Sequence, residues 1–187
     1  MGHRLSKIYT RTGDQGTTGL ADGSRISKAS LRIATLGDID ELNSALGVLS
    51  TGGLPDEVSA QISEIQHDLF DLGGELAIPG TQLLPGNASA QLEGWIDVYN
   101  ETLPPLKEFI LPTGPGGAAQ CHFARAVSRR AERGLVALAG TDEINAEALR
   151  YLNRLSDLLF VLARVLALRD GGREVMWDRK RFVTDPK

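Results

Sequence analysis

The stretch Pro55-Asp56-Glu57-Val58-Ser59-Ala60-Gln61-Ile62-Ser63-Glu64-Ile65-Gln66-His67-Asp68-Leu69-Phe70-Asp71-Leu72-Gly73-Gly74-Glu75-Leu76 decides the fold class. Val58, Ile62, Ile65, Leu69, Leu72 and Leu76 recur every three or four residues, which at about 100° per residue places them on one side of a helix. Pro55 gives up no needed hydrogen bond in a first turn, and Asp56 and Glu57 suit the positive helix end. On the N-terminal side, Ile39, Leu42, Leu46 and Leu49 predict a helix over about Ala29 to Ser50, broken by Gly52-Gly53. On the C-terminal side, Pro79 to Ala88 is a loop, and Ser89 is expected to cap a third helix carrying Leu92, Ile96, Tyr99 and Leu103 up to Pro104-Pro105. Phe109-Ile110-Leu111 and the following Pro112-Thr113-Gly114-Pro115-Gly116-Gly117 predict an extended crossover. A fourth helix follows over about Ala118 to Ala139, burying Ala124, Val127, Ala131, Leu135 and Leu138. Asn145 is expected to cap a fifth, with Leu152, Leu155, Leu159, Leu162 and Leu166, until Gly171-Gly172. The expectation is an all-α five-helix bundle over 29–170 in a single domain, with an irregular arm over 1–28 and a tail over 171–187.

Composition narrows the function. A chain of 187 residues that is 42% hydrophobic suffices for one core and is short for two. A formal charge of -4 gives no general affinity for nucleic acid or an anionic membrane, so a phosphate ligand must be caught locally. A single cysteine, Cys121, forms no intrachain disulfide, and Met1-Gly2-His3-Arg4-Leu5 lacks the apolar run of a secretory signal. The run Leu158 to Leu168 is interrupted by Arg164 and falls short of the roughly 20 residues a membrane span needs. A cytoplasmic location is expected.

Three groups of residues point to chemistry. The arm reads Ile8-Tyr9-Thr10-Arg11-Thr12-Gly13-Asp14-Gln15-Gly16-Thr17-Thr18-Gly19. Its glycines let backbone N–H groups turn inward, its threonines add hydroxyls, and Arg11 and Lys28 add charge, a composition suited to a polyphosphate. The same composition describes a polar terminus that binds nothing. In the fourth helix Arg125, Arg129 and Glu132 stand at i, i+4 and i+7 and form one column flanking the apolar stripe, with Arg130 and Arg133 farther toward solvent. Guanidiniums at such a seam suit phosphate oxygens, and they suit surface ion pairs as well. Asp40 and Asn43 on helix one and Asn153 and Asp157 on helix five flank their own stripes, so the polar columns of helices one, four and five are expected to converge on one cleft. Glu64-Ile65-Gln66-His67 has the Glu-x-x-His spacing of di-iron bundles but occurs once, since Ala119 precedes His122 at the matching position and His3 lies in the arm.

These blocks resemble the PduO-type ATP:corrinoid adenosyltransferases. The arm is followed by Gly37-Asp38-Ile39-Asp40-Glu41-Leu42-Asn43-Ser44. Phe109-Ile110-Leu111-Pro112, Ala124-Arg125 with Arg129-Arg130-Ala131-Glu132-Arg133, and Tyr151-Leu152-Asn153-Arg154-Leu155-Ser156-Asp157 complete the family order. The resemblance implies a homotrimer with active sites between subunits, an arm that orders over ATP, and Mg²⁺ on the triphosphate. It implies that Thr10, Arg11, Thr12, Gly13, Gly16, Thr18 and Lys28 bind phosphate. Arg125 and Arg129 would face the nucleotide with support from Glu132, Asn153 would meet the nucleoside, Asp40 would pair with Arg125 across the interface, and Phe109 would lie beneath the corrin ring. Arg11 departs from the family's usual lysine, and Thr113 and Pro115 are extra in the glycine-rich turn.

The implied reaction is attack of cob(I)alamin on the ribose 5′-carbon of ATP, with triphosphate leaving. Cobalt(I) is nucleophilic without a protein base, which fits the few candidate bases in the sequence. A reductase and an adenosylcobalamin-dependent enzyme are the partners this chemistry implies. Two other readings compete: a helical module that only holds ATP or the finished cofactor, and a metal-storing bundle built on Glu64 and His67.

Overall fold

The computed structural model describes residues 9–178. His3, Ile8 and residues 179–187 of the tail lie outside them. Five helices form: α1 (Leu31–Ser50), α2 (Asp56–Ala77), α3 (Ala88–Asn100), α4 (Ala118–Ala139) and α5 (Ala146–Leu168). Ser30 caps α1 by accepting the Ile33 N–H, and Asn145 caps α5 by accepting the Glu147 N–H, each such cap being worth about 1 kcal/mol. Ser89 does not cap α3. It is the second residue of that helix, and its N–H donates instead to Glu147 Oε1 at 2.7 Å. Leu103 lies beyond α3, which ends before the two prolines.

Gly117 admits the chain to α4 at φ 91°, and a Cβ there would stand 2.9 Å from Leu54 Cδ2. Both the left-handed turn and the close approach require glycine.

Packing follows the apolar stripes. α5 lies against α4 on one side and α3 on the other, while α1 joins α4 to α2. Side-chain hydrogen bonds close the ring: Tyr151 on α5 donates to Asp68 on α2 at 2.8 Å, and Tyr99 on α3 donates to Gln61 on α2 at 2.8 Å. Leu42, Leu46, Ile62, Leu135, Leu155 and Leu159 are fully buried in the shared core, each contributing about 1.5–3 kcal/mol by leaving water. Cys121 is buried as well, and burial pushes its thiol up to about 12. Among the described residues no helix is long and apolar enough to cross a membrane.

The arm is not irregular throughout. Strands β1 (Thr17–Gly19) and β2 (Arg25–Ser27) pair antiparallel, with Thr18 opposite Ile26. Asp22 accepts the Ser24 N–H in the connecting turn, Gly23 supplies φ 86°, and the Ala21 N–H docks on the Ala77 carbonyl at the end of α2.

Candidate active site

The arginine column of α4 faces a cleft of about 500 Å³ walled by α3, α4 and α5. Arg125, Arg129, Arg154, Asp157, Phe160 and Arg164 line it. Arg125 is half-buried, and its Nε is buried with no hydrogen-bond partner among the described residues. A desolvated guanidinium N–H left unmatched is costly, and an anionic group entering the cleft would relieve that cost. Arg129 is exposed one turn farther on.

A chain of charge-assisted hydrogen bonds fixes the neighbouring wall. Glu93 on α3 accepts Arg154 Nε at 2.6 Å, Arg154 Nη1 donates to Asn153 Oδ1 at 2.6 Å, and Asn153 Nδ2 donates to Glu132 Oε1 at 2.9 Å. The hydrogen bond of Glu132 thus runs to Asn153, so the acid supports the amide directly. No spacing signal in the sequence marks Arg154 as a site residue, yet it sets which way the Asn153 amide points.

Asp40 does not join this cleft. It lines a separate, largely apolar groove of about 310 Å³ between α1 and α2, together with Leu69, Phe70 and Ala77. The expected convergence of three polar columns within one chain is therefore confined to α4 and α5, because α1 packs its Asp40 side toward α2. Asn43 is likewise engaged elsewhere. It is buried, donates to the Gln66 carbonyl at 3.0 Å, and its own carbonyl accepts Gln66 Nε2 at 3.2 Å. Arg130, read from the sequence as solvent-facing, pairs with Asp38 at 2.9 Å and with Glu41, binding α4 to α1 and holding the Glu41 carboxyl below its usual range.

The arm gathers its own phosphate-suited groups. A Cβ on Gly13 would lie 3.0 Å from Lys28 Nζ, so the ammonium rests close to the Gly13 backbone and a side chain there would have to displace it. The Lys28 N–H donates to the Gly16 carbonyl, whose own N–H donates to Gly13, with Gly16 at φ 79°. Thr10 and Thr12 share a hydroxyl hydrogen bond of 2.9 Å, and Thr18 sits in β1. Arg11, at φ 60°, lays its guanidinium over the Tyr9 ring at 5.4 Å. Arg25, which sequence reasoning passed over, is the organiser: it donates to the Thr12 carbonyl at 2.7 Å and to the Thr17 hydroxyl at 2.8 Å. The Asp22-Gly23 pair was the available signal for this hairpin. The arm meets the bundle at Ala77, on the side of the Asp40 groove, and its described residues contribute no lining to the arginine cleft of their own chain.

Phe109 is 77% exposed. Glu64 accepts the Gln91 amide at 2.8 Å, and no cluster of three or more His, Cys, Asp or Glu suited to a metal occurs among the described residues.

The profile of the cobalamin adenosyltransferase family matches residues 8–166. The chain belongs to that family. It is 60% identical over 182 residues to a cobalamin adenosyltransferase of Cupriavidus metallidurans, covering 97% of this chain and 99% of the relative. It is 46% identical over 184 residues to the corrinoid adenosyltransferase of Bacillus subtilis, covering 95% of each. A solved structure of a phenylalanine-to-alanine variant of the PduO-type ATP:corrinoid adenosyltransferase from Lactobacillus reuteri, complexed with cobalamin and ATP, superposes with a TM-score of 0.86 at 34% identity. It covers 91% of this chain and 99% of its own.

One buried imidazole beside the cleft makes the stability of this family member depend on pH. His122 is 4% exposed, its Nδ1 has no hydrogen-bond partner among the described residues, and its ring meets Phe160 edge-on with centroids 6.2 Å apart. Burial first, and then the Arg125 charge, lower its pKa from the usual 6.5, with Glu174 opposing. Below 6.5 the unfolded chain takes up the proton before the folded chain does. The stability tied to neutral His122 is therefore full above 6.5 and is lost as pH falls through the lowered folded value. The midpoint of urea unfolding is expected to drop between pH 7.5 and 5.5 and to drop less in His122→Gln. Parallel pH dependences in the two proteins would count against this.

Proposed function

We propose that this chain transfers the 5′-deoxyadenosyl group of ATP to the cobalt of cob(I)alamin, releasing triphosphate. The cobalt lone pair forms the bond to C5′, and the electron pair of the breaking C5′–O bond leaves on the triphosphate. The observation that carries this reading is the pair Arg125 and Arg129 in one cleft, the first with a buried N–H unmatched among the described residues, beside an Asn153 amide held by Glu132 and Arg154. No residue needs to accept a proton in this reaction. The chain aligns cobalt with carbon and stabilises charge on the leaving group.

Arg125 and Arg129 meet phosphate oxygens from one side, and Thr10, Arg11, Thr12, Gly13, Gly16, Thr18 and Lys28 close from the other. Asn153 orients the nucleoside. The arm and Asp40 belong to a neighbouring copy, which explains how they reach a cleft that they do not line in their own chain. Asp40 then answers Arg125 across the interface, and Phe70, 75% exposed beside Asp40, is covered. Magnesium fits this site as the counter-cation of the triphosphate, since hard cations take oxygen ligands and the arm offers threonine hydroxyls. Bound there it would offset charge on the phosphate oxygens. Phe109 presents an apolar, non-ligating ring to the lower face of the corrinoid and favours the four-coordinate form that is more readily reduced. A reductase supplies the electron, and an enzyme that uses the adenosylated cofactor receives the product.

The test mixes purified protein, ATP and pre-reduced cobalamin and follows the spectrum together with the phosphate products. Conversion to the adenosyl form with one triphosphate released per cofactor, by a particle with the light-scattering mass of three chains, is expected. Binding without triphosphate release would reduce the chain to a carrier and sink the catalytic reading. A monomer that turns over at full rate would sink the shared site.

A further inference from the structure

The segment bearing Phe109 has no helix of its own to locate it, yet it is not free. The Leu111 N–H donates to the Val175 carbonyl at 2.8 Å and the Trp177 N–H to the Phe109 carbonyl at 2.7 Å, with Ile110 opposite Met176 as an antiparallel pair. The crossover and the C-terminal return therefore form a two-stranded ribbon. At its base Arg164 of α5, with its side chain 5% exposed, donates from Nε to Glu174 at 2.6 Å and from Nη2 to the Pro104 carbonyl at 2.7 Å. The Glu174 side chain is only 4% exposed. One buried guanidinium that also lines the arginine cleft thus ties to the bundle the segments that lead into both strands of the ribbon. At the other end the Trp177 ring meets Phe109 edge-on, with centroids 6.3 Å apart and planes at 65°.

We infer that Trp177 and the buried Arg164–Glu174 pair are positioning residues that hold the Phe109 ring in a single orientation toward the lower face of the corrinoid. The inference rests on the reading of Phe109 given above. An exposed aromatic on a loop samples several staggered rotamers, and a ring that must exclude a cobalt ligand has to occupy one of them. Trp177 braces one edge while leaving the rest of the Phe109 ring open. A buried ion pair is also an expensive way to stabilise a loop, since apolar packing does so at least as well, whereas its fixed geometry sets where the strands lie.

The test compares full-length wild type, Trp177→Ala, Trp177→Phe, Glu174→Gln and Phe109→Ala. Each is assayed from cob(II)alamin, with a reduced flavin as one-electron donor, and from pre-reduced cob(I)alamin. The electron spin resonance signal of cob(II)alamin bound with ATP reports the four-coordinate fraction. Trp177→Ala is expected to slow the cob(II) assay about three- to tenfold, the worth of one aromatic pair. Its cob(I) rate and KM for ATP should stay within about twofold of wild type, and its four-coordinate signal should shrink. Trp177→Phe should restore all three readouts, and Glu174→Gln should follow Trp177→Ala. Should Glu174→Gln fail to fold, the Trp177 pair decides alone. If Phe109→Ala separates the two assays and Trp177→Ala does not, the positioning role is overturned and the reading of Phe109 stands. If neither separates them, both are overturned.

Discussion

Arg129→Ala is expected to lower kcat by about a hundredfold or more, the scale for losing one donor aimed at developing charge. The leaving triphosphate gains negative charge as the C5′–O bond breaks, so a guanidinium lining the cleft gains interaction energy in the transition state that it lacks in the ground state. Arg129 suits this test better than Arg125. Its side chain is exposed, so truncation leaves no buried group stranded, and its carbonyl, which accepts Arg133 Nη1, is untouched. Arg125, half-buried beside His122, would bring stability losses into the same measurement. Arg129→Lys should fall between the two, because it keeps the charge and loses the fork. The check is steady-state turnover of a folded variant with wild-type assembly, and near-normal kcat there would refute the assignment.

Phe109→Ala should leave ATP affinity intact and slow adenosylation from cob(II)alamin by about thirtyfold or more, with much less effect from pre-reduced cob(I)alamin. Phe109 is 77% exposed, so ordinary core packing does not account for it, and its removal forfeits little folding energy. On the proposed reading, what is lost is the apolar obstruction that keeps water or the lower ligand from the cobalt. That obstruction matters while cobalt(II) awaits its electron, and far less once cobalt(I), which shuns axial ligands, has formed. Equal slowing in both assays would remove the axial-ligand argument.

The helices were legible because their burial obeys one period. The stripe from Val58 to Leu76 is buried throughout, and Asn145 caps α5 as read. The arginine column was legible for the same reason, since positions i and i+4 share a face whatever the rest of the fold does. Periodicity does not say which helix lies against which face. Asp40 and Asn43 carry the right chemistry on a side that meets α2, and Arg130, placed in solvent by its angle, is drawn in by Asp38 and Glu41. The hairpin of the arm escaped because its strands are three residues long and hold together through Arg25 rather than through alternating apolar residues. The Phe109 ribbon depends on contacts between residues more than 60 positions apart, which local spacing cannot encode.

The clasp that Arg25 makes on Thr12 and Thr17 bears on how nucleotide is captured. A leader that already carries its own fold surrenders less chain entropy on closing over ATP than a loose one would. On the proposed reading of the arm, the strength of its hold on ATP then depends on its stiffness as well as on its charge.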